Sequence, residues 1–200
     1  GDVLCQPNQR YQYLYFPLGG FISLVTRLKG HKPLEMGLIG NEGMLGVTLA
    51  LGITTVPTQA VVQGAGSAWR IKVAPLQQLL HQCPRLQHLL QQYLFVLMQQ
   101  LSQSAACAHF HALDRRLARW LLMSHDRAHA DHFHLTHQFL ADMLGVRRSG
   151  VTVAASLMQQ QQLISYTRGN ISILDRSALV EMACDCYQAA VDDYTKMLGM

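Results

Sequence analysis

Leu135-Thr-His-Gln-Phe-Leu-Ala-Asp-Met-Leu-Gly-Val-Arg-Arg-Ser-Gly-Val-Thr-Val-Ala-Ala-Ser-Leu-Met158 reads as two helices joined by a sharp turn. Thr136 is placed to cap the first, its hydroxyl accepting from a free N–H of the opening turn. Phe139, Leu140, Met143 and Leu144 then recur on one face, and Gly145 can take the left-handed conformation that ends a helix. In the second helix, expected over about 147–158, Val151, Ala154, Ala155 and Met158 follow the i, i+3, i+4, i+7 pattern of a buried stripe. Arg148, Ser149, Thr152, Ser156 and Gln159 fall on the opposite side, a polar face able to hydrogen-bond. Two helices that cross steeply need a small residue at the contact, which Ala141 supplies, and Val151 fills the gap. The spacing therefore predicts a helix-turn-helix with its second helix shaped for a DNA major groove.

The residues that follow support this reading. Leu163–Tyr166 and Ile171–Leu174 are short apolar runs around Thr167-Arg168-Gly169-Asn170, which predicts a β-hairpin, or wing, with Arg168 at a tip that can meet a phosphate. The expected DNA-contacting residues are Thr136, His137, Arg147, Arg148, Ser149, Thr152 and Arg168. His137, beside the cap, is expected near a phosphate, and Arg148 can grip guanine O6 and N7.

Composition sets the frame. Half of the 200 residues are hydrophobic, ample for a packed core. Glutamines and charges interrupt the apolar runs, so none reaches the roughly 18 residues a membrane span needs. No secretory signal is visible, and five cysteines in no regular framework suit a reducing cytoplasm. The chain opens on Gly1-Asp-Val-Leu as if inside a strand, so a short N-terminal piece is expected to precede it. A net charge of +4 is modest for a nucleic-acid binder, which makes affinity depend on base contacts and on a second subunit.

Upstream, residues 3–73 carry short strands punctuated by glycine turns, as in Phe21-Ile-Ser-Leu-Val-Thr26 and Leu34-Glu-Met-Gly-Leu-Ile39. They predict a jelly roll or similar barrel. From Pro75 the period becomes helical. Leu86, Leu90, Leu94, Leu97 and Leu101 stripe a long helix over about 85–110, read as a two-stranded coiled coil with a second copy. Leu113–Met123 is another amphipathic helix, and the last runs from a cap at Asp175 to about Leu198. The expected class is α+β: a β-roll over 1–84, a long dimerisation helix over 85–110, and a C-terminal winged helix-turn-helix domain over 111–200.

A β-roll, a leucine-striped helix and a winged helix-turn-helix in this order resemble the Crp/Fnr superfamily of bacterial transcription regulators. Leu135–Val146, Gln161-Gln-Leu-Ile164 and Gly43-Met-Leu-Gly46 carry the likeness. It implies a homodimer whose roll is cyclic-nucleotide-binding-like and senses a signal, and whose two heads meet an inverted-repeat operator on double-stranded DNA, with RNA polymerase a candidate partner. Cyclic-nucleotide binders of that family use a Gly-Glu-Leu segment and an Arg-Ser pair. Here Met44 replaces the glutamate, and Thr54–Ala60 has no arginine. The pocket around Gly43, Met44, Leu45, Gly46, Thr58 and Gln59 is thus degenerate, and cyclic AMP is not the expected effector. Only Cys5 lies near the start, so an iron–sulfur cluster of the family's N-terminal type is not expected.

Two other constellations need weighing. His125, His129, His132, His134 and His137 crowd together, and the first pair is spaced to chelate, but no carboxylate or cysteine completes a set. Cys184 and Cys186, two apart on one expected helix, should face different ways and serve as small buried side chains. No metal and no cofactor are expected, and no nucleophile-elbow, P-loop or dinucleotide motif suggests an enzyme. The competing readings are a sensory or protein-interaction module with a vestigial DNA head, and a histidine-rich metal-binding protein.

Overall fold

The computed structural model describes residues 1–199. Six strands build the N-terminal roll: β1 Val3–Cys5, β2 Tyr13–Pro17, β3 Phe21–Thr26, β4 Leu34–Ile39, β5 Gln59–Gly64 and β6 Ala68–Lys72. They form an antiparallel four-stranded sheet in the order β1-β5-β3-β4 and a two-stranded β2-β6 sheet. Leu14, Ile22, Leu24, Ile39, Met44 and Leu45 fill the space between them. The glycine at 46 has φ 101° and lies against Leu14, so a side chain there would clash.

Helices α1 Val73–Gln82 and α2 Pro84–Phe110 follow, with proline at the start of α2, where its missing N–H costs no hydrogen bond. The leucine stripe of α2 turns inward, not toward a second subunit. Leu90 and Leu97 are buried in the roll's own core, with Leu86 and Leu94 packed against it. That corrects the expected dimer seam: the roll offers α2 an apolar surface within the same chain. A different row of α2 stays exposed: His88, Gln91, Phe95, Met98, Ser102, Ala105 and His109.

The C-terminal part comprises α3 Leu113–Ala128, β7 His132–His134, α4 His137–Leu144, α5 Arg148–Gln160, β8 Ile164–Thr167, β9 Asn170–Ile173, α6 Arg176–Met182 and α7 Cys186–Leu198. Leu117, Leu121, Leu122, Leu140, Val151, Met158, Ile164 and Leu179 form its core. The expected single last helix is broken between α6 and α7. The α7 segment packs on α2, and its Tyr194 and Leu198 join the roll's core, so residues 111–200 are not one self-contained unit.

The two halves are joined by buried polar contacts. Trp120 on α3 meets Phe21 edge-on at 6.4 Å and donates from Nε1 to Glu35 Oε1 at 2.7 Å. Arg127 Nε donates to Glu42 Oε1 at 2.8 Å, while the Leu38 N–H donates to Gln100 Oε1 at 3.1 Å and ties β4 to α2. Among the described residues, no helix is long and apolar enough to cross a membrane.

Candidate nucleic-acid interface

Local chemistry shapes the two helices of the motif. Thr136 Oγ1 accepts from the Phe139 N–H at 3.1 Å, closing the first turn of α4. Gly145, at φ 67° and ψ 36°, ends α4 in the left-handed region and returns its N–H to Ala141 and Asp142 carbonyls. From α3, Arg116 Nη2 donates to the Leu144 carbonyl at 2.6 Å, which supplies positive charge where the helix end is negative. Ala141 is fully buried at the crossing, as its size predicts.

Helix α5 begins directly after Arg147 and runs slightly beyond the expected end. Val151, Ala154, Ala155 and Met158 are buried, while Arg147, Arg148, Ser149, Thr152, Val153 and Ser156 are exposed. No acidic residue stands in the first turn to compete with an incoming anion. Val153 is 71% exposed, and this apolar group on a polar face can meet a thymine methyl. The face offers cationic, hydroxyl and apolar contacts along one side of a helix.

Beside it, β8 and β9 pair as a hairpin whose two-residue loop, Arg168-Gly169, has φ 50° and 87°. Two successive positive φ values are those of a type I′ turn, which matches the twist of the strands and leaves Arg168 exposed at the tip. A third strand, β7, pairs with β9, so the wing is a three-stranded sheet. His132 and His134 alternate along it.

One expected contact residue is turned to another use. His137 Nδ1 is 3.0 Å from Thr152 Oγ1, its ring stacks on Tyr166 at 4.1 Å, and its Nε2 is enclosed by protein. Burial, and secondarily the Arg148 charge, holds its pKa below the usual imidazole value. The phosphate contact expected of His137 is therefore corrected: the ring braces α4, α5 and the wing against one another. Tyr166 completes this brace, its N–H donating to Gln159 Oε1 at 3.1 Å, and sequence patterning had not singled it out. Thr152 keeps an exposed position, though its hydroxyl also donates to the Arg148 carbonyl at 3.1 Å. In the histidine-rich run, His125 Nε2 lies 2.7 Å from Asp131 Oδ1, a carboxylate partner that spacing did not reveal.

Residues 115–182 match the Crp-like helix-turn-helix domain. Over that segment the chain is similar to the Crp-like helix-turn-helix family. Solved structures match the chain at larger scale. FixK2 from Bradyrhizobium japonicum is 15% identical with a TM-score of 0.76, over 92% of this chain and 93% of that one. A CRP-family transcriptional regulator from Thermus thermophilus is 17% identical with a TM-score of 0.71, over 91% and 93%. A second, CRP/FNR-family regulator from the same organism is 22% identical with a TM-score of 0.69, over 92% and 94%. The chain thus has the CRP/FNR-type fold from roll to wing. No curated protein matches it.

The segment that the resemblance made a degenerate nucleotide pocket lies within the roll. Met44 and Leu45 are fully buried in its core, and a Cβ at Gly43 would fall within the Tyr93 ring. Gln59 is engaged on both sides, accepting from Arg27 Nε and donating to Gln6 Oε1, each at 3.1 Å, while Thr58 beside it is half-buried.

Proposed function

We propose that this chain is a sequence-specific, DNA-binding transcription regulator that acts as a homodimer, with α5 in the major groove of each half-site. The observation that carries the reading is the exposed face of α5, led by Arg147 and Arg148 and flanked by the wing tip at Arg168. Arg148 stands at the helix N-terminus, the part of a recognition helix that meets base edges. Selection from random duplex DNA tests this, and an inverted repeat is the expected outcome. Arg148→Ala then weakens binding to the selected site by about 1–3 kcal/mol and relaxes preference at one base pair per half-site. Equal affinity of variant and wild type would remove Arg148 from the reading role.

The dimer uses the exposed row of α2. His88, Gln91, Phe95, Met98, Ser102, Ala105 and His109 are spaced alternately by three and four, the repeat of a coiled-coil seam. Phe95 and Met98 are 45% and 53% exposed, and small Ser102 and Ala105 let two helices approach. Each large side chain buried there contributes about 1.5–3 kcal/mol per subunit. The double variant Phe95→Glu, Met98→Glu sediments as a monomer and loses operator binding. A dimer that persists at the wild-type dissociation constant would place the interface elsewhere.

The roll does not receive cyclic AMP on this reading. Met44 replaces the carboxylate that would hold a ribose, and Gln59 and Arg27 satisfy each other in the loop region. Site selection accordingly succeeds without added nucleotide.

A further inference from the structure

Among the described residues, four side chains from two distant parts of the chain converge at the corner between α2, α3 and the α6–α7 break. Cys107 lies in the last turn of α2, and His111 follows it by four positions, at the helix cap. Cys184 sits in the break and Cys186 opens α7. Their donor atoms all lie within 4.8 Å of one another. Cys107 Sγ is 3.5 Å from Cys184 Sγ, and Cys186 Sγ is 3.4 Å from His111 Nδ1.

The broken helix explains why spacing misled. On one continuous helix, residues two apart point in different directions. Here Ala183 leaves the helix at ψ 156°, so Cys184 is not helical and its thiol can turn to face that of Cys186. The expectation that these thiols face apart is therefore corrected.

We propose that Cys107, His111, Cys184 and Cys186 bind a single tetrahedral zinc ion that clamps the end of α2 to the start of α7. Zinc–sulfur bonds of ~2.3 Å and zinc–nitrogen bonds of ~2.0–2.1 Å put the edges of such a tetrahedron near 3.5–3.8 Å. The Cys107–Cys184 and Cys186–His111 edges are close to that. An iron–sulfur cluster holds its thiolates apart by the width of the cluster, so a set this tight fits one ion. Three sulfurs and an imidazole are a soft donor set suited to zinc, and four protein ligands close the sphere, as in a structural site.

The surroundings fit as well. Asp185 Oδ1 lies 3.2 Å from His111 Nε2, so the carboxylate can take that N–H and aim Nδ1 at the ion. Zinc with three thiolates carries a net negative charge. The nearby Arg119 guanidinium, whose Nε is buried without a hydrogen-bond partner, offsets it. The three cysteines are at most 3% exposed and form a buried cluster of their own, apart from both hydrophobic cores. As plain apolar filler they would have no reason to share a point with an imidazole. His111 and Leu113 bracket the joint between the long helix and the DNA-reading part, so an ion here holds that joint and α7 together.

The test uses the full chain, reduced, stripped by a chelator and titrated with cobalt(II) and then zinc(II). One equivalent of cobalt gives the intense visible bands of a tetrahedral thiolate complex, and one equivalent of zinc bleaches them. Cys107→Ser and Cys186→Ser abolish the bands, Cys83→Ala leaves them intact, and Asp185→Asn weakens zinc about 10–100-fold. Zinc also raises the melting temperature and slows amide exchange at 107–113 and 183–187 in the wild type and in Cys83→Ala, but not in the two serine variants. Three results would overturn the proposal. They are a folded, fully reduced wild type without the tetrahedral spectrum, a pale octahedral spectrum that survives both serine variants, and a Cys107–Cys184 disulfide that forms in place of metal binding. Unchanged exchange at the joint on zinc binding would overturn the clamp.

Discussion

Arg127→Ala lowers the unfolding free energy by about 3–5 kcal/mol, the range for breaking one side of a buried ion pair. The Arg127 and Glu42 side chains are 7% and 11% exposed, and they meet at 2.8 Å across the boundary between α3 and the roll. Arg127 Nη1 also donates to the Met123 carbonyl at 2.9 Å, and Glu42 Oε1 takes the Gly40 N–H at 3.0 Å. Burial works against the guanidinium charge, but Glu42 together with Tyr194 and Tyr93 outweighs it and holds the pKa above the usual arginine value. Removing the cation leaves an enclosed carboxylate with only the Gly40 N–H and the Tyr194 hydroxyl beside it, and desolvation of that charge dominates the loss. The double variant Arg127→Met, Glu42→Gln loses much less, since the amide still accepts from Gly40 and no lone charge remains. Urea midpoints of the three proteins check this. A loss under about 1 kcal/mol in Arg127→Ala would show that the pair behaves as a solvated surface bridge.

The second large effect is a pH dependence that Glu35→Gln removes. Burial raises the Glu35 pKa from 4.5 to about 7, against hydrogen bonds from Ser23 and Trp120 and the more distant charges of Arg119 and Arg127. The folded chain therefore keeps a proton that the unfolded chain releases at lower pH. Stability from this group is fully present below the unfolded pKa of 4.5, falls as pH rises, and is lost above the folded value of about 7. At ~1.4 kcal/mol per unit, the swing is at most roughly 3.5 kcal/mol. Glutamine cannot ionise, yet its carbonyl can still accept from Trp120 and its amide can donate to Ser23. Wild type and Glu35→Gln should thus be about equally stable near pH 4.5, with the variant ahead above neutrality. Parallel stability–pH curves would refute this. Because Glu35 and Trp120 join the roll to α3, the same proton acts on the joint between the two halves.

How much of this was legible in the chain depended on the range of the interaction. The helix-turn-helix was readable because Thr136, Gly145 and the Val151–Met158 stripe act within a few residues of themselves. The wing was readable for the same reason, since Arg168-Gly169 between two apolar runs meets a purely local demand for positive φ. The strands β3 and β4 matched their expected bounds. The leucine stripe of α2 was visible too, but periodicity states only that one face is buried. That the roll covers it, leaving the Phe95 and Met98 row free, depends on surfaces contributed by residues far away in sequence.

The candidate sites divide in the same way. Arg147, Arg148, Ser149, Thr152 and Arg168 are exposed where the pattern put them. His137 looked alike on paper, yet Thr152 and Tyr166 draw it inward. Glu35 and Arg127 show no motif, and each matters because a partner 85 positions away encloses it.

The sequence by itself determined the helices, the caps, the wing turn and the polar face of α5, because each follows from backbone preference and side-chain period over one or two turns. Only the tertiary structure decided which surface of α2 is spent inside the chain, where the last helix breaks, and that three thiols and an imidazole share a corner. Those outcomes rest on long-range packing, in which a residue's surroundings come from segments that no local pattern names.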